Sequence, residues 1–321
     1  MNQLKGESKS GYLKVDGIHS IYYEEHGNES GETILFIHGG PGIGCSKRDL
    51  QFFDLNAVNV ILFDQRGCGK SIPKQELDEN TTPRIIQDIN NLLVHLKKER
   101  VYLFGGSWGS TVALLFAIKN PEKVKGMILR GVFAATREER EFFETGGIRS
   151  IFRNKWERYE SKVPDEYKKD VSTYYFRKIL NGNKYEQKEL AYELNYYGIS
   201  VSSMDSDTKK IRSKLEKSDY LTRAILLSHY SLNNFFMPDN YIWDNIKCIN
   251  NIRIMIIHGR NDYVTLPKYA VRLHSQLKRA KLHLVNGGHS PFDKELKEQL
   301  MKSVNELINE TGGNNGYMPC R

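Results

Sequence analysis

Cysteine is scarce in this 321-residue chain. Cys45, Cys68, Cys248 and Cys320 lie far apart, with no CxxC pair and no zinc-ligand spacing. A disulfide-stapled scaffold and a zinc finger are excluded on that ground, and no metal or organic cofactor is expected. Apolar runs are short. The longest, residues 112–118, is a heptapeptide. A bilayer-spanning helix needs about 18 or more apolar residues, so no membrane partner is expected. Residues 1–10 are polar and lack the apolar centre of a secretion signal. The expected compartment is the cytoplasm, where thiols stay reduced and free. Nine prolines and 26 glycines are ordinary for a globular chain, and no repeat or low-complexity segment occurs. Collagen-like, repeat and disordered architectures are therefore excluded.

The charge is less exclusive. Lys and Arg number 47 against 39 Asp and Glu, for a formal charge of +8. A basic balance can signal nucleic acid or anionic lipid. Here the cations are spread among acids along the whole chain. No RNA-recognition, zinc-finger or basic-zipper pattern accompanies them. A solvated basic surface with no nucleic-acid partner is the expectation.

With 39% hydrophobic residues the chain can bury a sizeable core. Residues 20–25 alternate like a strand. Residues 33–38, 58–64, 101–104 and 124–133 are short apolar runs rich in branched side chains, as buried strands are. Between them, residues 85–98 and 108–119 read as amphipathic helices. Alternation of strand and helix predicts parallel βαβ units and a doubly wound sheet. From residue 136 to 246 the chain is charged and aromatic, helical in period and almost free of strand-like runs. Strand patterns return at 252–258 and 281–285, with helices over 266–277 and 293–309. The sequence thus predicts an α/β core, residues 1–135 and 247–321, with a helical cap, residues 136–246, inserted after the sixth strand. Residues 312–321 read as a loose tail.

Gly105-Gly106-Ser107-Trp108-Gly109 is a G-x-S-x-G between a strand and a helix, the setting of a nucleophile elbow. A serine nucleophile needs a histidine base, and the base needs an orienting carboxylate. Asp262 follows the strand 252–258, and His289 follows the strand 281–285. Both fall at carboxyl ends of predicted parallel strands, the edge that also carries Ser107. His283 also follows the acid, but it lies inside a strand. His38-Gly39-Gly40-Pro41-Gly42 follows another strand, and its glycines bare backbone N–H groups. The N–H groups of Gly40 and Trp108 are therefore the expected oxyanion donors. Two look-alikes fail. No G-x-G-x-x-G fits the glycine loop, and Gly69-Lys70-Ser71 would need a P-loop glycine where Asp64 stands.

HGGPG at 38–42, DQRGCGKS at 64–71, GGSWGS at 105–110, GRND at 259–262 and Gly288-His289 together resemble the proline iminopeptidase family. The likeness covers residues 10–310 and continues into the early cap at Gly146-Gly147 and Trp156-Glu157. It implies an α/β-hydrolase fold with a helical cap, and release of an N-terminal residue, usually proline, from short peptides through an acyl-enzyme. It also implies cap glutamates that grip the substrate amine, since an unpaired buried cation is costly. Here the chain departs from the family. A Glu-Asn-His-Tyr-Phe segment of the family falls on Leu227-Ser228-His229-Tyr230-Ser231. A Trp-x-x-Trp-Glu-Gly segment matches a stretch ending Tyr196-Tyr197-Gly198. Leu227 and Tyr197 thus occupy the glutamate positions. Glu138, Glu141, Glu144 and Glu193 are the cap acids available to compensate. Arg66 and Gly67, in the DQRG stretch, are read as structural support for the site, and Cys68 as a small packed residue.

Phe142, Phe143, Tyr197, Leu227 and Tyr230, with the Trp108 side chain, are the expected pocket lining. The expected substrate is a short peptide or other small molecule, and the enzyme a monomer or simple homo-oligomer. A capped esterase, lactonase or amidase acting on a neutral substrate is the alternative that Leu227 and Tyr197 raise. A non-catalytic small-molecule binder is a third.

Overall fold

The computed structural model describes residues 8–202 and 207–311, and among these eight strands form one sheet. They are β1 (Lys9–Lys14), β2 (Ser20–Gly27), β3 (Glu32–Ile37), β4 (Val58–Phe63), β5 (Val101–Gly106), β6 (Val124–Arg130), β7 (Arg253–Gly259) and β8 (Ala280–Val285). Their spatial order is β1-β2-β4-β3-β5-β6-β7-β8. The pairs β1–β2 and β2–β4 are antiparallel, and all other pairs are parallel. The central strands are buried on both faces, which is why their sequences are continuous apolar runs rather than alternating ones. Register aligns the carboxyl ends: Ile37 pairs with Gly105, Gly106 with Arg130, and Gly259 with Val285. Every loop leaving β3, β5, β6, β7 and β8 therefore opens on one edge.

The core helices are α1 (Thr82–His95) and α2 (Trp108–Lys119). The α2 helix is buried from Trp108 to Ile118, without a solvent face, so the amphipathic reading of this stretch is corrected. A helix apolar all round belongs in the interior, and α2 lies between the sheet and an outer layer. The β6 strand stops at Arg130, three residues before the expected end at Phe133. Side chains replace the ladder there. Ser110 Oγ accepts from Phe133 N–H at 3.1 Å, Thr111 Oγ1 donates to Phe133 O at 2.6 Å, and His258 Nδ1 accepts from Val132 N–H at 3.3 Å.

Between β6 and β7 the described residues are mainly helical: α3 (Arg137–Glu144), α4 (Arg153–Glu160), α5 (Val171–Asn181), α6 (Lys184–Ser202), α7 (Thr208–Glu216), α8 (Tyr220–Leu232) and α9 (Tyr241–Asn245), with 3-10 turns between α3 and α4, α4 and α5, and α8 and α9. The insertion starts with a capping box. Thr136 Oγ1 accepts from Glu139 N–H, and the Glu139 carboxylate accepts from Thr136 N–H at 2.9 Å. Ile148, Trp156, Tyr159, Tyr175, Tyr197 and Ala224 belong to a cluster of the insertion's own. Tyr230, Phe235, Ile242 and Trp243 pack into the cluster that contains α2, which returns the chain to the sheet. The chain closes with α10 (Pro267–Gln276) and α11 (Lys294–Thr311). The tail read at 312–321, and Cys320 within it, lie outside the described residues.

Candidate active site

Ser107 sits between β5 and α2 at φ 57° and ψ −127°. A non-glycine residue is strained there, so close packing must hold it. A Cβ at Gly109 would overlap Ile37 O, and one at Gly105 would overlap Gly109 O. The glycines of G-x-S-x-G are thus required by contact, and they raise Ser107 to the loop edge. Its N–H donates to Arg130 O at 2.9 Å.

Asp262 is buried, and every contact it makes favours its charge. Oδ1 accepts from Val264 N–H at 3.0 Å and Thr265 N–H at 2.9 Å. Oδ2 accepts from Thr265 Oγ1 at 3.0 Å and from His289 Nδ1 at 2.8 Å. Burial opposes ionisation, yet the charge and hydrogen bond of His289, with His258 and Thr265 behind it, hold the carboxyl at about 2. His258 stands 3.4 Å from the same oxygen. Its Nε2 lies 2.7 Å from Thr265 O, and burial keeps it below the usual histidine range.

The carboxylate assigns the His289 proton to Nδ1, which leaves Nε2 as an acceptor. The residue is held from three sides. Its N–H donates to Ser202 O at 2.8 Å, its carbonyl accepts from Arg130 Nη1 at 2.9 Å, and its ring meets Asp262. Arg130 Nη1 is also 3.4 Å from Nε2. A Cβ at Gly106 would overlap the Arg130 guanidinium, so this cation lies against the residue preceding Ser107. Burial lowers the Arg130 pKa to about 10, with Asp262 opposing.

The glycine loop reaches the elbow from the other side. A Cβ at Gly39 would lie 3.5 Å from Ser107 Cβ, and Gly40 adopts φ +122°. Trp108 opens α2, where a helix N–H has no intrahelical acceptor. Gln65 ties the two parts together. It donates through Nε2 to His38 O at 2.9 Å, accepts from Trp108 Nε1 at 2.9 Å, and its N–H donates to His38 Nε2 at 3.0 Å. Arg66 pairs with Asp88 and Asp16 in the interior. Cys68 is buried beside His38, with burial pushing its thiol well above the usual range.

The aromatic candidates are largely engaged in packing. Trp108 and Tyr230 meet edge-on at 5.2 Å, and Tyr230 Oη donates to Asn80 Oδ1 at 2.9 Å. Tyr197 stacks on Tyr159 at 4.6 Å inside the cluster of the insertion. Phe143 lies 5.3 Å from Tyr197, and Phe142 packs against Gly147. Both are half-buried. Leu227 is half-buried and touches the sheet-side cluster and the insertion's cluster alike. Sequence reasoning missed Gln65, Arg130, Thr265, His258 and the Ser202 carbonyl. Only Gln65 carried a signal, through its place in the DQRG stretch.

The sheet topology, with its chemistry gathered at one edge, marks the class as α/β hydrolases. A model of the α/β-hydrolase fold family matches residues 32–296. An esterase of Exiguobacterium antarcticum superposes with a TM-score of 0.62 at 19% identity, covering 90% of this chain and 96% of that one, a likeness of fold alone. Curated relatives narrow the class. The proline iminopeptidase of Arabidopsis thaliana is 34% identical over 295 residues, 91% of this chain and 78% of that protein. That of Neisseria meningitidis is 33% identical over 315 residues, 96% and 99% of the two chains. The chain belongs to the proline iminopeptidase family of α/β hydrolases. Among the described residues, no helix is long and apolar enough to cross a membrane.

Proposed function

We propose that this hydrolase releases proline, or a similar residue, from the amino terminus of short peptides through an acyl-enzyme on Ser107. The observation that carries the reading is the 2.8 Å bond from His289 to buried Asp262 at the edge where Ser107 is raised. His289 Nε2 takes the Ser107 proton as Oγ attacks the carbonyl, while Asp262 stabilises the imidazolium. The N–H groups of Gly40 and Trp108 bind the oxyanion, each contributing about 3–4 kcal/mol in such sites. His289 then protonates the leaving amine, and water releases the acid.

Residues 136–246 serve as the cap in this reading, anchored to the core from Tyr230 onward, and the free thiols Cys45 and Cys68 fit a cytoplasmic enzyme. The cap must also hold a cationic amine. Glu138 pairs with Lys268 at 2.5 Å, Glu141 with Arg137 at 2.6 Å, and Glu193 with Arg158 at 2.8 Å. Glu144 has no such ion pair among the described residues and lies half-buried near Ser231, one helical turn beyond Leu227 on α8. It is our candidate for the amine partner.

The test compares proline 4-nitroanilide with its N-acetyl analogue, using wild type and Ser107→Ala. Turnover of the free amine alone, lost in the variant, is the expected result. Turnover of the blocked substrate alone would favour the neutral-substrate reading that Leu227 suggests.

A further inference from the structure

Gln65 stands between the two halves of the expected oxyanion hole and is buried with them. One half is the peptide that joins Gly39 to Gly40. It is trans, so its carbonyl and the Gly40 N–H point in opposite directions. His38 Nδ1 lies 2.8 Å from Gly39 O. A carbonyl only accepts, so that nitrogen carries the ring proton and Nε2 is left to accept. Gln65 N–H donates to Nε2 at 3.0 Å, in agreement with that tautomer. The imidazole therefore holds the carbonyl end of the peptide whose N–H end is the expected donor.

The other half is the first turn of α2, where Trp108 N–H is the donor. The Trp108 indole is buried against Tyr230 at 5.2 Å and Phe235 at 5.4 Å. Its one polar atom, Nε1, donates to Gln65 Oε1 at 2.9 Å. The same amide donates through Nε2 to His38 O at 2.9 Å. Each partner can play one part only, since an indole N–H gives and a carbonyl takes. The amide thus has a single orientation. One side chain joins the residue before Gly39 to the residue after Ser107.

Oxyanion donors act through placement. They must meet the charged oxygen of the intermediate, not the ground-state carbonyl, at about 2.7–3.1 Å. Gly40 and Trp108 come from separate loops, so no covalent path fixes their separation. Apolar packing fills the space between loops but is not directional. We infer that Gln65 is a positioning residue for the reaction: its amide sets the separation of the Gly40 and Trp108 N–H groups. The inference rests on acyl transfer at Ser107, as proposed above, and adds what holds the oxyanion donors apart. Among the described residues, the hydrogen bonds of Gln65 run to His38, Trp108 and Cys68, and none runs to His289 or Asp262.

The experiment measures proline 4-nitroanilide and 4-nitrophenyl acetate with wild type, Gln65→Met, Gln65→Glu, Trp108→Phe and the double variant Gln65→Met with Trp108→Phe, each checked for folding by circular dichroism. In Gln65→Met, kcat/KM should fall roughly 10- to 100-fold for both substrates, because both form an oxyanion. For the anilide the loss should lie in kcat, with KM held. The acid limb of the pH profile, set by His289, should not move. Gln65→Glu keeps the volume and the acceptor for Trp108 Nε1 but sets an oxygen against His38 O. It should lose kcat too, whereas a space-filling role would leave it at the wild-type rate. The loss in the double variant should fall well short of the product of the single losses, as a shared bond requires. A wild-type kcat in Gln65→Met or Gln65→Glu, a loss carried by KM, or single losses that multiply would each overturn the inference. A wild type that cleaves the ester alone would overturn the aminopeptidase reading and leave Gln65 to be judged on the ester. One that cleaves neither would overturn both.

Discussion

The Arg130 guanidinium is buried beside the imidazole it steadies. It holds the His289 carbonyl at 2.9 Å and stands 3.4 Å from Nε2. It lies 159 residues away in sequence, so no local pattern could announce it. Ser107, Asp262 and His289 were legible for the opposite reason: each follows an apolar run and sits in a glycine-rich turn, so type and place agree. Thr265 and His258, which surround the Asp262 carboxylate, carry no such mark. Glu144 belongs to the same scale. Burial, opposed by Arg140 and Ser231, pushes its carboxyl up to about 7. An amine is held by the ionised form. KM for proline 4-nitroanilide should therefore rise as pH falls through about 7 and the carboxylate takes up its proton. Glu144→Gln should raise KM roughly 10- to 100-fold and remove that rise. A pH profile of KM that is the same in both proteins would show that Glu144 does not meet the amine.

Among the elements, the carboxyl end of α6 bears directly on the chemistry. The Ser202 carbonyl accepts from His289 N–H at 2.8 Å and from Ser290 N–H at 3.1 Å, so a helix of the insertion seats the histidine loop. A Cβ at Gly288 would lie 2.8 Å from that carbonyl, and backbone cannot yield as a flexible side chain does. Gly288→Ala should displace the loop and lower kcat roughly 100-fold, with the far-ultraviolet circular dichroism spectrum unchanged. An unaltered kcat would mean that the contact is incidental. Strand and helix order was readable because apolar runs and helical periods are local. The β1 strand was missed because Lys9–Lys14 is an edge strand, mostly exposed, with no apolar run to mark it. The true end of β6 was missed because side chains of Ser110, Thr111 and His258 satisfy residues 132–133, and those partners are set by the tertiary fold.

For the whole molecule, the sheet supplies a fixed edge and the insertion supplies what lies over it. Its helices keep a cluster of their own, while Leu227 touches that cluster and the one beneath. This division explains why the fold and the placing of Ser107, Asp262 and His289 on one edge could be read from sequence while the proposed substrate contacts could not. The candidate reacting residues depend on strand ends, whereas the proposed substrate contacts, Glu144 on α3 and Leu227 on α8, depend on how the helices of the insertion pack. In the proposed mechanism the chemistry centres on one atom, Ser107 Oγ, made nucleophilic by His289. The direct measurement is labelling with a fluorophosphonate, followed by intact mass and peptide mapping, on wild type, Ser107→Ala and His289→Ala. A single adduct on Ser107 is expected, with none in Ser107→Ala and labelling slowed at least roughly 100-fold in His289→Ala. An adduct on another residue, or an unlabelled wild type, would contradict it.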